Sequence, residues 1–366
     1  MKKYIIFCLL ISFVPFAGMC HGKNESNNFS VIGYYAGNAE QVRDYPVEFL
    51  THIIYSFCHL QNGLLHVDNK NDSATIEALV DLKKRKPGLK VILSLGGWGG
   101  CAPCSEAFST EKGRNNFSMS TKNLLQYFKA DGIDLDWEYP AISGFPGHTF
   151  TAGDKQNFTY LLQSLRTTLG NKYEISFAAG GFTSFLDSSV EWGKIAPLVD
   201  KVNLMTYDLV NGFSTVTGHH TPLYSTPGQL ESTDHAVQYL SNIGFPTNKL
   251  VIGAAFYARV FDVYKNEQNG LYMPGKFSHG ISYKNFDTVA LKKQGFIYYW
   301  DPVASAPYMF SKEKMQVISF DDAHSIFLKT KYAQDQHLDG IMFWQLADDK
   351  PQNGLLSVIH DALKEN

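Results

Sequence analysis

The chain has 366 residues, 32 Lys and Arg against 35 Asp and Glu for a formal net charge of −3, and an aromatic content of 14%. That length exceeds one small domain and suits a barrel of about 250 residues carrying an insertion. The near-neutral balance, with no Lys/Arg cluster, excludes a nucleic-acid footprint, and beyond the N-terminal segment no apolar run is long enough to span a membrane.

Met1-Lys2-Lys3 is basic, Tyr4 to Phe16 is almost wholly apolar, and Ala17, Gly18 and Gly22 are small. The pattern predicts an export leader over residues 1–22, too short in its apolar core to cross a bilayer. Acylation at Cys20 is the alternative, but Met19 before it fits a lipoprotein site poorly. The expected form is a secreted monomer, extracellular or periplasmic. Cys8 and Cys20 fall in or beside the leader, leaving Cys58, Cys101 and Cys104. Cys101-Ala-Pro-Cys104 reads as a tight disulfide in an exported chain. A redox-active pair lacks a surrounding thioredoxin-like pattern, and no second Cys or His pair stands at zinc-ligand spacing. Neither a metal nor a cofactor is expected.

After a polar stretch to Asn28, eight short β-rich runs follow: Val31–Tyr35, Ile53–Phe57, Val91–Leu95, Ile133–Trp137, Ile175–Ala179, Val202–Met205, Leu250–Phe256 and Ile341–Trp344. Between them, 73–86, 121–130, 155–169 and 234–243 carry apolar residues at helical spacing. Alternating strands and helices imply a parallel sheet, and eight strands imply closure into a (β/α)8 barrel over residues 23–366, with a doubly wound sheet as the open alternative. Residues 261–322 are too long for one crossover. With strand-like pieces at 295–300 and 315–320, they read as a small α+β insertion between the seventh and eighth strands, rising from the C-terminal face where barrel sites are built.

The fourth run sits in Asp131-Gly132-Ile133-Asp134-Leu135-Asp136-Trp137-Glu138-Tyr139-Pro140. Residues two apart on a strand share a face. Asp134, Asp136 and Glu138 therefore point together into the barrel, while Ile133, Leu135 and Trp137 face the helices. Three stacked acids without an adjacent Lys or Arg cannot all stay ionised. Catalysis explains that cost better than a hydrogen-bonded ion network or a metal cage. Trp344 and Trp98 stand at strand C-terminal ends, where barrel sites are built; Tyr34, Phe57 and Tyr139 stand at comparable positions, with core packing as the competing reading. Trp192, in a helical stretch, reads as core. Gly96, Gly97, Gly99 and Gly100 lack the Lys-Ser/Thr of a phosphate loop and read as close backbone packing.

Asp131 to Glu138 matches the DxxDxDxE signature of glycoside hydrolase family 18, the chitinase family, and the chain resembles that family over nearly all of its mature length. Ser94-Leu95-Gly96-Gly97-Trp98 resembles its SxGG motif, Met205-Thr206-Tyr207-Asp208 its sixth-strand motif, and Tyr257-Ala258-Arg259 the YxR end of its seventh strand. Trp344 stands at its eighth-strand tryptophan. Ala255 and Ala258 depart from the Pro and Gly of many members. The resemblance implies a retaining, substrate-assisted hydrolysis of chitin or chito-oligosaccharides. Glu138 would be general acid and base. Asp136 would hold the acetamido N–H, Asp134 would share a proton with Asp136, and Tyr207 would donate to the acetamido oxygen. Asp208, and Met205 of the same motif, would bind the sugar. Trp344 would floor the cleaved sugar and Trp98 would stack one beyond the scissile bond. Arg259 would bind substrate or pair with an acid on the insertion. The rivals are an endo-β-N-acetylglucosaminidase acting on N-glycans and a sugar-binding lectin, the latter usually lacking the terminal Glu of the signature.

Overall fold

β-Branched and aromatic residues concentrated in short runs favour strands that pack on both faces. The computed structural model describes residues 29–365 and Met1. The leader expected over 1–22, with Cys8 and Cys20, lies outside the described segment. The strands are β1 (Ser30–Tyr35), β2 (His52–Gln61), β3 (Leu64–His66), β4 (Lys90–Gly96), β5 (Gly132–Asp136), β6 (Glu174–Gly180), β7 (Lys201–Met205), β8 (Leu250–Ala255), β9 (Tyr257–Val263), β10 (Gly275–Ser282), β11 (Ile297–Asp301), β12 (Ala306–Ser311), β13 (Gln316–Ser319) and β14 (Gly340–Trp344). Parallel pairing runs β1-β2-β4-β5-β6-β7-β8-β14 and returns to β1. The eight-stranded sheet is closed, which excludes the doubly wound alternative, since an open sheet has two edges.

Interior and exterior layers separate cleanly. Ile32, Ile54, Ile92, Val251 and Met342 fill the barrel interior, while Ile133, Leu135, Phe177 and Leu204 belong to the larger layer between strands and helices. At the N-terminal rim Lys201 pairs with Asp339 at 2.7 Å and Lys90 with Glu174 at 2.6 Å. Charge at that end of a barrel serves stability.

The expected 155–169 and 234–243 fall on helices Asp154–Leu169 and Thr233–Asn242, while the expected 73–86 is helix Lys70–Asp81 followed by a 3-10 turn, Leu82–Lys84. The helix expected from Thr121 begins at Glu111, where the Thr110 hydroxyl accepts the Gly113 N–H at 3.1 Å. The polar run Arg114-Asn115-Asn116 dilutes the apolar repeat there, so the N-cap rather than the periodicity marks the start.

A five-stranded antiparallel sheet, ordered β10-β9-β13-β12-β11, interrupts the barrel between β8 and β14. It begins earlier than expected: Tyr257-Ala258-Arg259 lies on β9, paired with β10 and β13, and not on the barrel strand. The points of exit and return are joined by buried charge. Asp321, just past β13, accepts the Ala255 N–H at the end of β8 at 3.0 Å and the Lys329 ammonium at 2.7 Å. Lys329 also donates to the Thr221 carbonyl at 2.8 Å. Both members of the pair are wholly buried. Ala255 supplies an N–H that a proline would lack.

Removing one partner of such a pair strands the other charge in the interior, at a cost of about 3–5 kcal/mol. Lys329→Met should lower the equilibrium stability by that amount, read from the urea unfolding midpoint at constant slope. An unchanged midpoint would show that the pair contributes nothing.

Candidate active site

The period of two along β5 places Asp134 and Asp136 on the interior face and carries Glu138 to the mouth. Asp134 is wholly buried and fully partnered. Ser176 and Ser94 donate to it at 2.7 and 2.8 Å, and Tyr34 and Asn203 at 3.2 Å each. Ser94 and Ser176 reach it because the parallel register sets both directly beside it on β4 and β6. Asp136, one layer higher, is the opposite case: its Oδ1 is buried with no hydrogen-bond partner among the described residues. Burial, then the neighbouring Glu138 and Asp134, push its carboxyl well above the usual range. Glu138 is half-buried at the mouth. Burial raises its carboxyl to about 7, the Tyr139 hydroxyl pulling the other way and Asp208 adding repulsion.

Tyr207 and Asp208 follow β7. Burial, and then Asp136 and Glu138, hold the Tyr207 phenol protonated. Its hydroxyl has only the Met342 thioether, at 3.9 Å, as a protein partner among the described residues. Asp208 has a φ of 56° and forms a bidentate pair with Arg259, while His220 Nδ1 lies 3.5 Å away. These partners hold its carboxyl below the usual range against the opposing effect of burial. Arg259 thus pairs with a barrel residue across to the insertion, rather than with an acid on the insertion itself.

Asp136, Glu138, Tyr207, Asp208 and Arg259 open into one cleft of about 1210 Å³, lined also by Trp344, Trp98, Phe57, Tyr139 and Met205. Trp344 stacks on Phe57 with centroids 5.6 Å apart. Trp98 is exposed and meets Phe145 and Phe213 edge-on or tilted, at 5.6 and 6.1 Å. Tyr34 does not line the cleft; it lies beneath, bound to Asp134. Trp192 is core, its indole N–H donating to the Leu186 carbonyl at 2.8 Å. Pattern reading missed Ser176, Asn203, His220, Tyr257, Phe213 and Asp348. Ser94 and Tyr257 stand inside motifs and Ser176 and Asn203 inside strand runs, but neither motif nor period says which partner each meets; His220, Phe213 and Asp348 stand in neither.

The glycines after β4 are packing glycines. Gly97 has a φ of 78°, and a Cβ there would lie 2.3 Å from the Phe57 ring. Cys101 and Cys104, just beyond, are joined by a disulfide with Cα atoms 5.2 Å apart. Among the described residues no three His, Cys, Asp or Glu side chains are arranged to hold a metal ion, and no helix is long and apolar enough to cross a membrane.

Residues 30–349 match the glycosyl hydrolases family 18 model. The chain is 34% identical to chitinase A1 of Niallia circulans over 302 residues, 76% of this chain but only 43% of that protein. It is 30% identical to chitinase 1 of Aphanocladium album, covering 92% of this chain and 84% of that one. The solved structure of a family 18 N-acetylglucosaminidase from Paenibacillus barengoltzii superimposes with a TM-score of 0.83 at 35% identity, covering 91% of this chain and 99% of its own.

A carboxyl whose folded-state affinity for protons is raised costs stability once the unfolded chain ionises. For Glu138 the loss builds from pH 4.5 to about 7. Glu138→Gln cannot ionise, so it should match the parent in melting temperature at pH 4 and exceed it above pH 7, by up to about 3 kcal/mol before solvent screening at the open mouth. Equal melting temperatures at both pH values would contradict the raised affinity.

Proposed function

The chain belongs to the glycosyl hydrolases of family 18, and from that premise we propose that it hydrolyses β-1,4-linked N-acetylglucosamine chains, chitin and chito-oligosaccharides, with retention at the anomeric carbon. The observation that carries this reading is the buried, unpartnered Asp136 Oδ1 beside a Glu138 that keeps its proton to near neutrality. A buried acceptor without a donor demands one, and the N–H of a 2-acetamido group is such a donor.

Glu138 gives its proton to the glycosidic oxygen as the bond from that oxygen to C1 breaks. The acetamido carbonyl oxygen forms the new bond to C1, and the positive charge that develops on the resulting ring is met by Asp136. Tyr207 donates its hydroxyl to the same acetamido oxygen and orients it. Glu138, now a carboxylate, takes a proton from water, and the water oxygen displaces the acetamido oxygen from C1. Two displacements at one carbon retain its configuration. No hydrogen bond joins Asp136 to Asp134 among the described residues, so sharing a proton between them requires Asp136 to turn from the cleft. Asp208, fixed by Arg259, and Met205 hold the sugar over Trp344, and Trp98 stacks the sugar on the leaving side.

Release of N-acetylglucosamine from short chains is a second reading, favoured by the likeness to the Paenibacillus N-acetylglucosaminidase, which matches over 99% of its own length. The Cys101–Cys104 bond supports export, since such bonds persist in oxidising compartments, and we place the protein outside the cytoplasm, acting as a single chain on its saccharide.

Incubation with chitin oligosaccharides and with an N-glycan, followed by product and anomer analysis, tests these readings. Chitobiose or longer β-anomers are expected. Monosaccharide alone would select the second reading, and inverted products would overturn the substrate-assisted step. Cleavage of the N-glycan alone would identify an endo-β-N-acetylglucosaminidase, and binding without turnover a lectin. Glu138→Gln should lower kcat at least 10²-fold. Tyr207→Phe should lower kcat by about 10²-fold with a smaller change in KM, the behaviour of a donor that acts mainly in the transition state.

A further inference from the structure

The charged residues lining the cleft are Asp136, Glu138, Asp208, Arg259 and Asp348. The first four have a part in the chemistry above, and Asp348 has none. It ends the short 3-10 turn Leu346–Asp348, four residues after Trp344. In the closed barrel β14 is four strands from β5 in either direction, so Asp348 stands across the mouth from Glu138. It is therefore on the side of Trp344, the proposed floor for the sugar on the non-reducing side of the scissile bond.

Asp348 is half-buried and makes no ion pair among the described residues. Its nearest cationic influence is Lys284, whose ammonium donates to the Ala347 carbonyl at 2.6 Å. Burial raises the Asp348 carboxyl, with Lys284 and Gln345 working against that effect. A partly desolvated acid without a cationic contact is unfavourable for the empty protein, and a ligand cation in the cleft would relieve it. Trp98, proposed to stack the sugar on the leaving side, is surrounded instead by the uncharged rings of Tyr139, Phe145 and Phe213. An N-acetylglucosamine unit presents only neutral donors to a carboxylate. The deacetylated unit presents an ammonium, with three N–H donors and a full charge.

We propose that Asp348 is a specificity-determining residue that receives the C2 ammonium of a glucosamine unit on the non-reducing side of the scissile bond, so that a chain with glucosamine at that position is preferred over a fully acetylated one. The assignment rests on the hydrolase reading above. It concerns sugars beyond the one whose acetamido group reacts, which must stay acetylated.

The test compares kcat/KM, at mildly acidic pH, for a fully acetylated chito-oligosaccharide and for chains of equal length carrying one glucosamine at a defined position. The ratio should favour a glucosamine placed on the non-reducing side beyond the reacting sugar. Asp348→Asn should reduce that ratio about five-fold, the scale of a half-exposed ion pair, and Asp348→Glu should retain most of it. Added salt should erode the wild-type preference, a readout that needs no variant. A ratio unchanged in Asp348→Asn and insensitive to salt overturns the Asp348 assignment while leaving the hydrolase reading intact. Absence of turnover of the acetylated chain overturns the hydrolase reading and this assignment together.

Discussion

Like-charge repulsion along β5 is the constraint around which the barrel interior is arranged. Asp134, Asp136 and Glu138 share a face within five residues, and desolvation makes their simultaneous ionisation prohibitive. The structure handles each differently. Asp134 is given four donors drawn from β1, β4, β6 and β7, which oppose the burial that still raises its carboxyl. Asp136 is given none at Oδ1 and is raised by both neighbours. Glu138 reaches the open cleft, where its proton is held to near neutrality but can still leave. The gradient from fully partnered to unpartnered separates the three roles.

The inserted sheet has a different task. A barrel mouth alone is shallow, and β9 and β10 supply a wall bearing Tyr257, Arg259, Phe277 and Ser282. Such a wall is useful only if it is held in register with the barrel. Two ion pairs serve that need at different depths. Arg259 ties β9 to Asp208 at the cleft, and Lys329 with Asp321 ties the exit and return of the chain behind it. The second pair also uses the Ala255 N–H, which gives the departure from proline at that position a structural consequence.

The cleft is chemically asymmetric. Its lining combines exposed rings, Trp98 and Phe213, that can stack a pyranose face, with a carboxylate, Asp348, that makes no ion pair among the described residues. Stacking tolerates many sugars, whereas an unpaired carboxylate distinguishes a cationic from a neutral one. Discrimination along the chain would therefore lie beyond the reacting sugar, on its non-reducing side.

The sequence by itself determined what depends on local geometry. Period-two alternation places Asp134, Asp136 and Glu138 together whatever surrounds the strand, because successive side chains on any strand point to opposite sides. Alternating strand and helix patterns likewise marked the eight barrel strands and the position of the insertion. Motif matching added Tyr207 and Asp208. The tertiary structure decided which partners those groups have. Ser94, Ser176, Asn203 and Tyr34 lie 40 to 100 positions from Asp134 and meet it only through strand register and barrel closure. The same holds for Arg259 on Asp208, for Tyr34 lying below the cleft rather than in it, and for the orphaned oxygen of Asp136. Contacts between distant positions leave no period in a single chain, and burial, which sets the charge state of each acid, is a property of the packed molecule alone.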